Sequence, residues 1–244
     1  MAAFSIDDVR AVVHRLFIAS ADASLRKEDE QKSREVAALL GRLARVRKGA
    51  RLVDAAAGKA SVGLVAAELL PIATLTVLER DPRRVEACRR ATARLTRSLE
   101  VDVRHADVAD DDAWPEAPDA VVALHACGPA TDHVIDQAIR ARARFVFVVP
   151  CCYGEALPFF ARADAVVREQ AYVADDLLRR RVRASLIDME RKLRLEVAGY
   201  ATELEELVGP TVTPHNLIFL ARRAGDAVRI ERAAARLAVL RGTR

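Results

Sequence analysis

Three acidic side chains are spaced along the sequence in a way that suits nucleotide binding. Asp54 follows an apolar run, Glu79 lies about 25 residues further on, and Asp107 follows a third apolar segment. An acid at the second position accepts hydrogen bonds from ribose hydroxyls, and the third acid offers a polar edge to an adenine amine. The predicted cofactor-binding residues are Asp54, Ala55, Ala56, Gly58, Lys59, Glu79, Arg80, Asp107, Val108 and His125.

The segment 55–61 after Asp54 has small side chains that let the backbone approach a ligand closely. It contains neither the G-x-G-x-x-G pattern of dinucleotide-binding proteins nor the G-x-x-x-x-G-K-[ST] pattern of triphosphate hydrolases. Gly58-Lys59 resembles the second pattern only superficially, because the first glycine and the hydroxyl directly after the lysine are missing. The nucleotide is therefore not expected to be hydrolysed.

A second group of reactive side chains follows the next two apolar runs. His125, Cys127, Cys151 and Cys152 are predicted to be catalytic. His125 is a candidate general base, the cysteines are candidate nucleophiles, and the four together are candidate ligands of zinc or an iron–sulfur cluster. No metal ligand is predicted, because the spacing is not Cys-x-x-Cys and adjacent cysteines rarely both ligate one tetrahedral ion. Simple packing of the thiols is the remaining alternative.

Alternating strands and helices must position these residues. Apolar runs predict strands that start at residue 52 and at 74–79, 101–105, 120–124 and 144–149, with helices between them at 82–98 and 131–141. Such alternation predicts an α/β fold with a doubly wound, mostly parallel sheet. The predicted fold is completed by a basic helix at 175–198, strands at 200–208 and 216–222, and a helix at 228–240. The last strand is expected to be antiparallel. We expect an N-terminal helical extension at 1–48 and one domain at 49–244.

The composition narrows the function classes. With 52% hydrophobic and 30% charged residues among 244, the chain can bury a core, so wholesale disorder is excluded. No run approaches the roughly 18 apolar residues of a membrane span, and the start MAAFSIDDVR lacks the features of a secretory signal. We therefore expect a cytoplasmic monomer with no membrane partner and no disulfide partner. The net charge of +4 permits RNA as a partner but does not require it.

The order of motifs resembles the class I S-adenosylmethionine-dependent methyltransferases, with a Rossmann-like sheet of seven strands, over about residues 30 to 223. In that family an acid is followed by alternating glycines; here Asp54 is followed by Ala56, Gly58 and Ala60. The resemblance implies S-adenosyl-L-methionine as the cofactor, with Glu79 on the ribose and Asp107 on the adenine.

Several segments are similar to a narrower subgroup, which includes the glutathione-S-transferase C-terminal-domain-containing protein and related methyltransferase-like proteins. They are 32–36, 125–128, 150–153, 190–200 and 213–216. RNA cytosine-5 methyltransferases place two cysteines at the same two strand ends, but their Asp-Ala-Pro-Cys arrangement is absent. No Asn/Asp-Pro-Pro-Tyr motif follows the fourth strand, which argues against methylation of exocyclic amino groups.

The basic helix indicates a phosphate-bearing substrate. Its arginines are Arg179, Arg180, Arg181, Arg183, Arg191 and Arg194, and several share one face. Interleaved acids leave a solvated face as the alternative. The predicted substrate-binding residues are Lys32, Glu35, Tyr153, Arg180, Arg183 and Asn216. We expect a methyltransferase acting on tRNA or rRNA; the alternatives are a small-molecule or protein methyltransferase, and a cofactor-binding interaction module without turnover.

Overall fold

A seven-stranded sheet forms the centre of the protein. The computed structural model describes residues 4–18, 24–170 and 173–243. The strands are β1 Ala50–Ala55, β2 Ile72–Glu79, β3 Glu100–His105, β4 Ala120–Ala126, β5 Phe145–Pro150, β6 Tyr200–Glu206 and β7 Leu217–Arg223. Their order in the sheet is β3-β2-β1-β4-β5-β7-β6, and β7 runs antiparallel to both of its neighbours. The predicted fold class is confirmed, including the antiparallel last strand.

Helices cover both faces of this sheet. They are α1 Ile6–Phe17, α2 Lys27–Leu43, α3 Ser61–Leu69, α4 Pro82–Thr92, α5 Ala130–Arg140, α6 Phe160–Glu169, α7 Asp176–Val197 and α8 Ala227–Arg241. Helix α6 was not predicted from the sequence. Within the ranges that the structure describes, no helix is both long and apolar enough to cross a membrane.

The strand order reverses between β1 and β4. Parallel strands whose order reverses leave a crevice outside their carboxyl ends, and ligands bind there. The loop after β1 contains residues 56–60, while β4 ends with His125 and Ala126 and is followed by Cys127. The sheet therefore places the two groups of candidate site residues at the same edge.

The two N-terminal helices pack into the main core. Val9, Val13 and Leu16 of α1, together with Val36 and Leu40 of α2, are buried in the same apolar cluster as the residues of β1 and α3. The predicted division at residue 48 is not tested by this packing and remains a prediction. This packing places α1 and the start of α2 over the crevice, so both helices contribute to its wall.

The basic helix α7 is partly buried, contrary to the prediction that its arginines share a phosphate-binding face. Arg191 is fully buried and donates to Asp132 at 2.7 Å and to Asp188 at 3.3 Å. Arg194 donates to Asp132 and Asp136, both at 2.6 Å. Both guanidinium groups have their charge balanced inside the protein, so neither is available to a phosphate.

Candidate active site

The loop after β1 has a strained backbone. Ala56, Gly58 and Ala60 all have positive φ angles, at 51°, 62° and 56°. An L-residue in this left-handed region costs about 1–2 kcal/mol, whereas glycine adopts it freely. The two alanines thus occupy positions where the class I methyltransferases, which this sequence resembles, have glycine. Their backbone still adopts the left-handed conformation that glycine favours. Strain of this kind is retained where the surrounding structure enforces a functional loop.

Asp54 connects β1 to the start of α3. Its buried carboxylate accepts a hydrogen bond from the Gly63 N–H at 2.7 Å. This bond replaces the missing side-chain cap, since Ala60 at the helix start offers no acceptor. Burial raises the pKa of Asp54 to about 7, with the charge of Glu79 adding to the effect and the Gly63 N–H opposing it. Asp54 also lines the crevice.

Glu79 supports the same loop from the end of β2. One carboxylate oxygen accepts from the Gly58 N–H at 2.7 Å and the other from the Asp81 N–H at 2.8 Å. A carboxylate has about four acceptor positions, so two of them remain for ribose hydroxyls. Glu79 is only 4% exposed, and its immediate effect is to hold the Gly58 turn.

The end of β3 presents a more open acid. Asp107 is half-buried, accepts from the Ala109 N–H at 3.0 Å and pairs with the exposed Arg80 at 3.5 Å. Val108 is buried, and its carbonyl accepts from the indole N–H of Trp114 at 3.0 Å. The register pairs Glu79 with His105, so the ends of β2 and β3 lie side by side, and β2 separates β3 from β1.

A pocket of about 790 Å³ lies at this edge. Its volume is within the range of small-molecule and cofactor sites. Predicted site residues that line it are Lys32, Asp54, Ala56, Gly58, Lys59, His125 and Cys127. Ala55 is fully buried behind them, while Glu79 and Asp107 are not part of the pocket wall.

Several lining residues were missed by the sequence analysis. They are Val13, Phe17 and Ile18 at the end of α1, Arg26, Glu28 and Asp29 at the start of α2, and Ser61, Val62, Arg84 and Leu124. The apolar periodicity predicted both N-terminal helices, but no signal in the chain order says that α1 returns over the crevice.

His125 lies on a bulge at the end of β4. Its φ is +62°, and the pairing of β4 with β5 shifts register between Leu124 and Ala126. A bulge re-aims the side chain at that position. Nε2 of His125 lies 3.1 Å from Oε1 of Glu35 on α2, so the bulge turns the imidazole toward that helix.

Glu35 is a buried carboxylate held between the side chains of Lys32 and His125. It is 1% exposed, and its second oxygen accepts from Lys32 Nζ at 3.0 Å. Burial alone would raise its pKa, but the hydrogen bonds from His125 and Lys32 outweigh this and lower the pKa to about 2. Glu35 is therefore a charged acceptor at neutral pH, and Nε2 of His125 is the ring nitrogen that donates to it.

The other nitrogen of that imidazole is left without a bond. Within residues 4–18, 24–170 and 173–243, Nδ1 of His125 is buried and has no hydrogen-bond partner. A buried, unpaired acceptor is costly in a folded protein. A ligand group that donates to Nδ1 would remove this cost.

Three thiols meet beside the histidine. Sγ of Cys151 lies 3.1 Å from Sγ of Cys127 and 3.4 Å from Sγ of Cys152. Burial and the two neighbouring thiols raise the pKa of Cys151. For Cys152 burial acts in the same direction, but hydrogen bonds with the other thiols outweigh it and lower the pKa. The fourth cysteine, Cys88, is buried and also unbonded to another cysteine.

The remaining predicted substrate residues have internal partners. The hydroxyl of Tyr153 donates to Asp188 at 2.7 Å, and the guanidinium of Arg191 lies 5.6 Å from its ring centre. Asn216 donates to the carbonyl of Val208 at 3.0 Å, which closes the connection between β6 and β7. The structure thus gives Tyr153 and Asn216 structural contacts, and their substrate roles stay predictions.

Arg180 and Arg183 lie in a second, polar cleft of about 640 Å³ between α6 and the start of α7. Arg183 pairs with Asp164 and stacks over Phe160 at 4.5 Å. Arg180 is exposed and donates to the carbonyl oxygen of Asp176 at 3.4 Å. The cleft is lined by four arginines and two aspartates, namely Arg168, Arg179, Arg180, Arg183, Asp164 and Asp176.

Sequence comparison identifies relatives of this chain. A family model described as a methyltransferase domain matches residues 26–157. The Glutathione S-transferase C-terminal domain-containing protein homolog of Drosophila pseudoobscura pseudoobscura is 28% identical over 201 residues, which cover 71% of this chain and 33% of that protein. The chain spans about a third of the length of the curated relatives it matches first.

Solved structures share the fold. Magnesium protoporphyrin IX methyltransferase from Synechocystis PCC 6803, with bound SAH, is 12% identical and has a TM-score of 0.50; the match covers 88% of this chain and 93% of that one. The B. subtilis M1A22 tRNA methyltransferase TrmK is also 12% identical with a TM-score of 0.50, covering 77% of this chain and 65% of that one. At such identities the similarity is one of fold.

Proposed function

The chain belongs to the methyltransferase-domain family, and we propose that it transfers the methyl group of S-adenosylmethionine to RNA. The observation that supports methyl transfer is the Glu35–His125 pair, whose free Nδ1 is buried beside a pocket of cofactor size. Structural relatives include one solved with SAH and one that acts on tRNA. The first supports the cofactor, and the second supports RNA as the methyl acceptor.

The residues in and beside the pocket suit an adenosyl cofactor that carries an amino acid. Glu79 and Asp107 at the ends of β2 and β3 would accept hydrogen bonds from the ribose and the adenine, respectively. The backbone of the Gly58 loop approaches without a side chain in the way, because no atom lies within 4 Å of an ideal Cβ at that position. When bound, the cofactor supplies a methyl group on a positively charged sulfur.

His125 would act as the general base on the methyl acceptor. Nε2 donates to the charged Glu35, so Nδ1 has the lone pair that can take a proton from a hydroxyl or a nitrogen of the acceptor. Glu35 then stabilises the imidazolium that results, and Lys32 holds Glu35 in place. Alignment of the acceptor with the methyl carbon supplies much of the remaining acceleration.

RNA is favoured as the substrate by the cleft at α6 and α7. Four arginines against two aspartates leave an excess of two positive charges along its wall. Arg180 is the exposed member whose only described contact is a backbone carbonyl, and it is free to bind a phosphate. Helix α6 follows the loop of Cys151 and Cys152 along the chain, so one wall of this cleft is connected directly to the edge of the sheet that holds the pocket. A cytoplasmic location and a monomeric state are part of the same proposal.

The test is methyl incorporation from tritium-labelled S-adenosylmethionine into fractionated cell extract. Label should enter a fraction that nuclease destroys and protease does not. We expect His125→Gln to lower kcat by about 10²–10⁴ with little change in KM for the cofactor, while His215→Gln, at an exposed histidine, serves as the matched control. Label in a protease-sensitive or small-molecule fraction would refute RNA as the substrate, and full activity of His125→Gln would refute the base.

A further inference from the structure

The three thiols at the ends of β4 and β5 form a compact sulfur cluster that methyl transfer by the histidine does not use. All three Sγ atoms of Cys127, Cys151 and Cys152 lie within 4.8 Å of one another. We infer that these side chains form a three-thiolate site for a single zinc ion. The inference is independent of RNA as the substrate and of His125 as the base.

The distances between the sulfurs fit one shared ion. With Zn–S bonds of about 2.3 Å in a tetrahedron, neighbouring sulfurs are separated by about 3.8 Å. The observed separations of 3.1 Å for Cys127 and Cys151 and 3.4 Å for Cys151 and Cys152 are slightly shorter. Small side-chain rotations would open the triangle to that size. The adjacent pair can share one ion because the chain leaving β5 directs both sulfurs toward Cys127.

Rigid contacts hold both halves of the cluster. Tyr153, next to Cys152, is anchored by its hydroxyl to Asp188 at 2.7 Å, and Asp188 is bound by the fully buried Arg191. On the other strand, the hydroxyl of Thr131 donates to the carbonyl of Ala126 at 2.6 Å, next to Cys127. Ligands that are positioned by such supporting bonds pay little ordering entropy when the metal binds.

Thiolate chemistry selects the metal. Soft sulfur ligands favour zinc over calcium or magnesium, which prefer oxygen. Binding of one zinc ion to three thiols releases three protons to solvent and leaves a centre with a net charge of −1. The fourth position would hold water, because Cys127 and Cys152 are exposed and Cys127 lines the pocket.

Cobalt(II) is a suitable probe, because thiolate ligation produces intense near-ultraviolet absorption. The full chain is reduced, freed of metal and titrated with Co²⁺ without oxygen. We expect one Co²⁺ per chain for the wild type, displacement of Co²⁺ by Zn²⁺, and loss of the sulfur-to-cobalt band in Cys151→Ser and in Cys152→Ala. Cys88→Ser, at the cysteine outside the cluster, should keep the full band.

Two results would overturn the inference. The first is a wild-type chain with all its thiols reduced that develops no sulfur-to-cobalt band. The second is a Cys151→Ser variant that binds Co²⁺ as the wild type does. Circular dichroism of each variant confirms that the comparison is between folded chains, and the variant at Cys152 leaves the core intact because that side chain is exposed. A negative result in the RNA methylation assay would refute the proposed function, but it would not affect the Co²⁺ titration or the inferred zinc site.

Discussion

Gly63→Ala tests how tightly the first turn of α3 is packed against β1. A Cβ atom at Gly63 would lie 2.8 Å from Cδ1 of Leu75 and 2.9 Å from both Cβ and Oδ2 of Asp54. Leu75 is 1% exposed and Asp54 is 2% exposed, so neither side chain has room to withdraw. We expect the substitution to force Asp54 out of its hydrogen bond with the Gly63 N–H.

The magnitude follows from three contributions. Overpacking of a core costs about 1–3 kcal/mol, and a buried polar group that loses its partner costs about 1–3 kcal/mol more. Alanine stabilises a helix by about 1 kcal/mol relative to glycine, which offsets part of this loss. The net loss in the free energy of unfolding is therefore about 1–5 kcal/mol. Binding of S-adenosylhomocysteine should weaken as well, since Asp54 lines the pocket.

Urea unfolding provides the assay, with the fluorescence of Trp114, the single tryptophan, as the signal. Gly41→Ala is the matched control, because Gly41 also lies in a helix but no atom approaches within 4 Å of its Cβ position. That variant should gain about 0.5–1 kcal/mol. A Gly63→Ala protein as stable as Gly41→Ala would refute the close packing around Asp54.

Three further predictions concern the loop, the buried acid and the arginine cleft. Ala56→Gly should raise the free energy of unfolding by about 0.5–1 kcal/mol, because relief of the left-handed strain exceeds the added flexibility of the unfolded chain; a loss of stability in the same urea assay would contradict it. Burial raises the pKa of Asp54 from 3.8 to about 7, so the folded state retains a proton that the unfolded chain releases, and wild-type stability should fall as pH rises through this window. Asp54→Asn should remove that part of the slope, and an unchanged slope in unfolding curves across this range would count against the assignment. Arg180→Ala should weaken RNA binding and lower the slope of log Kd against log salt by about 0.7, whereas the exposed Arg236→Ala should not; equal slopes would exclude a phosphate contact.

The strands of the sheet could be predicted because each one is marked by a short stretch of neighbouring residues. Apolar runs separated by helical segments identify the strands, and the rule that crevices form at the carboxyl ends of reversed strands places Asp54 and His125 at one edge. The positive φ angles at Ala56 and Ala60 explain why the loop keeps its shape without two glycines. Backbone conformation there is set by the surrounding strand and helix, and the residue type only changes its cost.

The pairing of Glu35 with His125 could not be predicted from local patterns. Glu35 and Lys32 were predicted to bind substrate, whereas the structure joins Glu35 to His125 across 90 residues of sequence. That contact depends on a one-residue bulge in β4, which leaves no clear mark in the sequence. Likewise, the arginines of α7 have the same spacing whether they face solvent or the core, and only the packed helices show that Arg191 is buried.

The proposed cofactor site requires that the ends of β1, β2 and β3 surround a single adenosyl group. A crystal structure of the chain with S-adenosylhomocysteine tests it most directly. We expect the adenosyl group over the Gly58 loop, with ribose hydroxyls on Glu79, adenine beside Asp107 and the sulfur on the side of His125. Density for the nucleoside elsewhere on the protein, with the pocket beside Asp54 filled by protein side chains, would contradict it.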